Sequence, residues 1–187
     1  DLDLSHNKAL KSVIISENHN LASIHLGSNT NLNLVSIGYS NSLTTFTIGR
    51  TPALKEFRLS ESKLTTLNLE DKIALESINV SVNKLTSLKL PNTPTLKTVE
   101  AYSNQLSSIN VSGNSNLEYL MLQDNNITTI DLNSNVRLKS LDIRNNKLTN
   151  LDTRNNILST LKFSSNPSLE TAFIAGNHTI EPPKGSL

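Results

Sequence analysis

The sequence predicts a solenoid: a β-rich right-handed arc of about eight coils of 21–22 residues, with parallel strands on one face, a strand-like or turn-rich opposite side, and little helix. Three observations predict it. A skeleton L-x-x-L-x-L-x-x-N recurs along the whole chain, its steps of ten and eleven residues settle to a long period of 21, and no stretch carries the 3.6-residue apolar period of a helix. The skeleton occurs twice within residues 117–135, LEYLMLQDNNITTIDLNSN, so one coil contains two units.

The units end near Asn7, Asn18, Asn29, Ser40, Thr51, Ser62, Lys72, Asn83, Thr93, Asn104, Asn114, Asn125, Asn135, Asn146, Asn156, Asn166 and Asn177, which makes seventeen half-coils. In Leu117-x-x-Leu120-x-Leu122 the last two leucines alternate with outward residues as a short strand requires, and the first anchors the turn leading in. Ten residues leave no room for a helix as well. Stacking such coils at ~4.8 Å turns the leucine columns into a continuous core and pairs every interior strand edge.

The unit-ending asparagines, best formed at Asn104, Asn114, Asn125, Asn135, Asn146, Asn156 and Asn166, are expected to be structural. A side-chain amide inside a turn can satisfy free backbone N–H and C=O groups and repeat that arrangement from coil to coil.

Composition narrows the function classes. The longest apolar runs, 119–122 and 172–175, are about four residues, far from the ~18 of a membrane-spanning helix, so direct membrane insertion is not expected. Seventeen Lys plus Arg against 16 Asp plus Glu give a net charge of +1, which supplies no field for nucleic acid or anionic lipid. The absence of cysteine removes disulfides and thiolate chemistry.

His6, His19, His25 and His178 fall at unrelated places of the repeat, so no metal site is expected. Six scattered glycines form no phosphate loop, and no serine has a base placed to activate it. The reading is therefore of a protein without enzymatic activity or cofactor. The four N-x-S/T sequons, at Asn79, Asn110, Asn126 and Asn177, are no more than a chain this rich in Asn, Ser and Thr carries by chance.

At residues 117–135 and in RLKSLDIRNNKLTNLDTRNN (137–156) the chain resembles the leucine-rich repeat proteins, specifically the nested 21-residue class of bacterial surface proteins that includes some internalins. The match spans residues 1–177. It departs from that class at a core column often held by cysteine, here Leu, Ile, Val, Ala101 and Thr153, and where Ser40, Thr51, Ser62 and Lys72 interrupt the asparagines. Distortion or greater mobility is expected over that irregular third. The repeat domain is placed at 1–180, and Glu181-Pro182-Pro183 begins a tail or linker at 181–187, because proline cannot donate to a strand ladder.

The resemblance implies that the units lacking the "LD" signature, the even-numbered ones, form a concave parallel sheet. Its outward columns begin Ser12, Ile14 and Ser16. They place Thr98, Glu100, Tyr102, Tyr119, Met121, Gln123, Asp142 and Arg144 within about 10 Å on three adjacent coils. Tyr and Arg carry much of the energy of protein interfaces and Met adapts to irregular partners, so this patch is the candidate ligand site.

The alternative is surface decoration, with cross-strand pairs such as Glu100 with Arg144. On the odd units, Asp131 and Asp152 could hold Ca²⁺ if the faces were swapped, or lie in solvent beside Arg154.

The resemblance further implies a monomeric fragment of a larger extracellular or cell-surface chain that binds a protein or glycan ligand in adhesion or host contact. Two rivals stand beside it. One is a structural spacer without a ligand, which the serine-rich columns at 12–81 favour. The other is a flat-face polysaccharide- or ice-binding solenoid using Thr45, Thr66 and Thr129, a rank that Ser87, Ser108 and Asn150 interrupt.

Overall fold

The computed structural model describes residues 1–176 and the backbone of the strand at 179–181. Asn177 with its sequon, His178 and residues 182–187 of the expected tail lie outside the described residues.

The chain winds as a parallel β-solenoid whose described elements are all strands and turns. The even units contribute strands Ser12–Ser16, Leu34–Gly38, Glu56–Leu59, Ser77–Asn79, Thr98–Glu100, Tyr119–Met121, Ser140–Asp142, Thr160–Lys162 and Thr179–Glu181. They form one nine-stranded parallel sheet in chain order. The register matches repeat position to repeat position: Thr98 pairs with Tyr119, Tyr119 with Ser140 and Ser140 with Thr160. Lys162 pairs with Glu181, so the sheet reaches one residue past 180.

The odd units behave differently. Leu2–Asp3, Ser23–His25 and Thr45–Thr47 form one small sheet; Thr66–Asn68 pairs with Ser87–Lys89, and Asn150–Asp152 with Thr171–Phe173. Residues 108–110 and 129–131 form no strand. The amide at the inward position tells the same story. Leu26 N donates to Thr47 O (2.8 Å), Leu69 N to Lys89 O (2.9 Å) and Thr153 N to Phe173 O (2.9 Å), whereas Ile48, Leu90, Val111 and Leu132 make no such bond among the described residues. On the even side the equivalent bonds run from Val80 to Glu100 (2.8 Å), Ala101 to Met121 (2.9 Å), Leu122 to Asp142 (2.7 Å) and Ile143 to Lys162 (2.8 Å) in four successive coils.

The distortion expected between residues 40 and 72 is thus confined to the odd side. The even sheet runs through Gly38, Arg58 and Asn79 without a break. The odd ladder opens between Thr47 and Thr66, but also between Lys89 and Asn150, where the asparagine column is intact. Irregularity of the column is therefore not what opens it.

Leu117, Leu120 and Leu122 are fully buried, as are Leu138, Leu141 and Ile143 one coil later. Each buried leucine contributes about 1.5–3 kcal/mol of burial, and the two sides close on one another, with Phe46 meeting Phe57 edge to face at 5.6 Å.

Two structural differences separate units that look alike in sequence. Every even unit turns through a non-glycine residue in the left-handed region just before its final residue: Glu17, Tyr39, Glu61, Val82, Ser103, Asp124, Asn145 and Ser165, with φ between 51° and 59°. No odd unit has a non-glycine residue there among the described residues.

The asparagines are also wired in two ways. In the even units Asn104 Oδ1 accepts from Leu85 N (2.9 Å), and its Nδ2 reaches the carbonyls of Val80, Ala101 and Tyr102. The pattern repeats at Asn83, Asn125, Asn146 and Asn166. In the odd units Asn135 only donates, to Val111 O (2.9 Å) and Asn114 O (3.0 Å), and its Oδ1 is buried without a partner, as are those of Asn29 and Asn156. Asn114 likewise donates to Pro91 O and Thr93 O.

Lys72 fills the odd column by a different chemistry. Only 1% exposed, it spends its three ammonium donors on Gly49 O (2.8 Å) and both oxygens of Asp71 (2.7 and 2.8 Å), reaching the previous coil's carbonyl as an asparagine would.

Candidate binding face

The even sheet presents its outward residues in straight columns because parallel strands one coil apart pair without offset. Thr98, Tyr119 and Ser140 share one column, and Glu100, Met121 and Asp142 the next. Tyr102, Gln123 and Arg144 follow just beyond the strand ends. All eight expected residues are therefore on one face of three adjacent coils.

They are not equally available. Tyr119 is 42% exposed and Thr98, Glu100, Tyr102, Met121, Gln123 and Arg144 are half-buried, but Asp142 is only 5% exposed. Its carboxylate is gripped by Arg144 through Nε to Oδ1 (2.9 Å) and Nη2 to Oδ2 (2.7 Å). The cross-strand pairing of Glu100 with Arg144 does not form. Glu100 accepts instead from Asn79 Nδ2 at 3.1 Å, because the neighbouring strand offers an amide in register, while Arg144 has a carboxylate two residues earlier in the chain. Tyr102 stands between Ser81 and Gln123 of the flanking coils, and both Ser81 Oγ and Gln123 Oε1 are buried without a hydrogen-bond partner.

Three large exposed side chains on the even units fall outside the expected patch, one of them Val82 (41% exposed) at a left-handed turn. Ile14 (71% exposed) occupies the central column. Tyr39 (54% exposed) sits at the left-handed turn position, where its φ of 51° swings it off the third column. The Glu61 carboxylate, by its charge and as a hydrogen-bond acceptor, pushes the Tyr39 phenol above its ordinary range, and Glu17 and the Tyr102 phenol add to the effect. Counting one residue beyond the third column would have found Tyr39. The alternation of a strand does not extend into the turn, so the sequence pattern offers no reason to count it.

On the odd side, Asp152 is bound by Arg154 through Nε (3.0 Å) and Nη2 (2.6 Å), which holds its carboxyl down at about 2. Asp131 Oδ1 accepts from Asn133 N (2.9 Å). The Ca²⁺ alternative finds no support here: among the described residues no group of three or more His, Asp or Glu side chains could hold a metal. No described helix is long and apolar enough to cross a membrane.

No protein-family model matches the chain. No curated protein matches it significantly. Seventeen chains of solved structure do match. The functional domain of InlJ from Listeria monocytogenes, which includes a cysteine ladder, superposes with a TM-score of 0.71 at 24% identity, over 91% of this chain and 40% of that one. A leucine-rich repeat protein of Leptospira interrogans superposes with a TM-score of 0.55 at 18% identity, over 98% of this chain and 66% of that one. The chain thus spans less than two thirds of the length of either. Likeness at these identities is a statement of fold, and this chain makes the fold without a single cysteine. By its architecture the chain is a leucine-rich repeat solenoid of about eight coils, with parallel strands and coils of about 21 residues.

Proposed function

We propose that the chain is a non-catalytic recognition module of an extracellular or cell-surface protein, binding a protein or surface glycan through its even-unit face in adhesion or host contact. The observation that carries this reading is the unbroken nine-stranded sheet, which holds Thr98 beside Tyr119 and Glu100 beside Met121 on adjacent coils, with Tyr102 just beyond the strand end. A preorganised array loses little entropy on binding, and its aromatic members supply area at low conformational cost.

Curvature supports the same face. A continuous ladder requires ~4.8 Å between strands, and a stack whose opposite side has lost its inter-coil bonds is longer on that side. On this reading the even sheet is the inner, concave surface. The interrupted odd side also weighs against a regular threonine rank of the ice-binding kind, since residues 108–110 and 129–131 are not strands.

The test is binding of the intact chain and of a Tyr102→Ala/Tyr119→Ala variant to a glycan array and a panel of extracellular proteins, after circular dichroism shows that both fold. Loss of a wild-type signal in the folded variant supports recognition by the even face. A signal that survives the variant, or no signal from either protein, sinks this reading, and the second of these outcomes favours the spacer.

A further inference from the structure

The odd side opens between the coils ending at Thr93 and Asn114, and a cavity of about 310 Å³ lies at that opening. This is the low end of the range for small-molecule sites. We infer that this notch binds the ring of a neutral saccharide, a site on the opposite side of the coil from the even-unit face and independent of it.

The notch is made by three local features. Leu90 is half-buried where its column-mates Val111 and Leu132, which lack the same inter-coil bond, are 1–2% exposed, so an aliphatic floor is uncovered here and not in the following coils. Pro91 removes a further N–H donor from the ladder beside it. Gly113 keeps the wall thin: a Cβ there would stand 2.3 Å from Asn92 Oδ1.

Around the floor are polar groups with capacity to spare. The Asn92 carboxamide makes no hydrogen bond among the described residues. Asn110 spends its Oδ1 on Ser112 N (3.0 Å) and Ser112 Oγ (2.8 Å), which fixes its orientation and leaves its Nδ2 as a donor. Glu70 accepts from Asn68 Nδ2 (3.2 Å) through Oε2, lies 3.6 Å from Lys89 Nζ, and keeps Oε1 available.

The lining therefore offers donors and acceptors in a fixed arrangement over an apolar patch. Its one carboxylate has a cation beside it, and the described residues supply no metal-ligating group. The carboxylate and the ammonium beside it offset one another, so a charged ligand finds little net counter-charge here. A pyranose ring, with hydroxyls that both donate and accept around its edge and an apolar C–H face, matches that combination.

The test is titration of the ¹⁵N-labelled chain with the methyl glycosides of glucose, galactose, mannose and N-acetylglucosamine. A single ring held at one shallow notch binds at about 1 mM or weaker, so each is taken to ~50 mM. The expected result is a saturable shift of the Asn92 and Asn110 side-chain amides and the Leu90 and Ser112 backbone amides with at least one glycoside. Asn92→Ala should weaken that binding at least about fivefold, as should Asn110→Ser, a second variant in case the first disturbs the turn. Tyr102→Ala/Tyr119→Ala should leave it unchanged, which separates this site from the even face. Absence of saturable shifts with all four glycosides in a dispersed spectrum, or their loss in the tyrosine variant, overturns the inference.

Discussion

Arg144 closes a two-pronged grip on Asp142, two residues earlier at the end of the preceding strand, and ten residues on Arg154 closes the same grip on Asp152. The sequences are near copies, LDIRNN and LDTRNN, yet the Asp142 side chain is 7% exposed and that of Asp152 39%. The difference follows from the side of the coil each occupies. Asp142 lies in the continuous sheet with a strand on either side, whereas Asp152 pairs with a single neighbouring strand.

Removing one partner should therefore cost different amounts. Arg144→Gln leaves a carboxylate buried without its cation and is expected to destabilise by about 1–3 kcal/mol. Arg154→Gln, at an exposed pair that solvent screens, should cost clearly less. Urea unfolding of the two variants compares them directly, and equal costs would show that burial is not the deciding factor.

Asp152 gives a pH signature. Its carboxyl titrates at about 2 rather than the ordinary 3.8, because the Arg154 guanidinium donates to it. A depressed carboxylate supports the folded state fully above 3.8, and this contribution fades only as the pH falls toward 2. Carbon-detected titration of Asp152 should give a midpoint near 2 in the wild type and a return toward 3.8 in Arg154→Gln.

The two asparagine wirings should separate by mutation. Asn104→Ala strands the buried Leu85 N–H and several carbonyls, and is expected to cost about 3 kcal/mol or more. Asn135→Ala removes two donated bonds together with an acceptor that was already unpartnered, and should cost about 1–2 kcal/mol. Chemical denaturation of both variants tests the order.

Val82 is a β-branched residue at φ 55°, a conformation that costs a non-glycine residue about 1–2 kcal/mol. Val82→Asn is expected to stabilise by about 1 kcal/mol, since asparagine tolerates this region and the side chain is exposed. A lower melting temperature in the variant would show that the valine side chain contributes more than its strain removes.

Thr153 places a hydroxyl at a core position where it is fully buried and unpartnered. Valine has nearly the same shape and no polar atom to bury, so Thr153→Val should raise stability by about 1 kcal/mol, read as an increase in thermal midpoint.

Much of this molecule was legible in the sequence. The spacing of Leu117, Leu120 and Leu122 told which residues face inward, and the 21-residue period told which residues stack, so the columns running through Tyr119 and Met121 are in the register expected. Two things did not show. Tyr39 lies in a turn, where strand alternation stops predicting direction. The pairing of Glu100 depended on which of several charged and amide neighbours came within reach, a question of ångströms that spacing does not answer.

The sequence by itself determined the solenoid, its number of coils and its inward leucines, because a repeat of this length can bury its apolar side only by stacking. Only the tertiary structure decided how the two units of each coil differ in hydrogen bonding, which the "LD" signature alone does not say. The even side carries its ladder through nine strands and the odd side is broken into three short sheets, so the backbone of the two units meets different partners from coil to coil. With that inequality go the left-handed turns such as Val82 on the even side, the two wirings of the asparagines, and the opening beside Leu90 on the odd side.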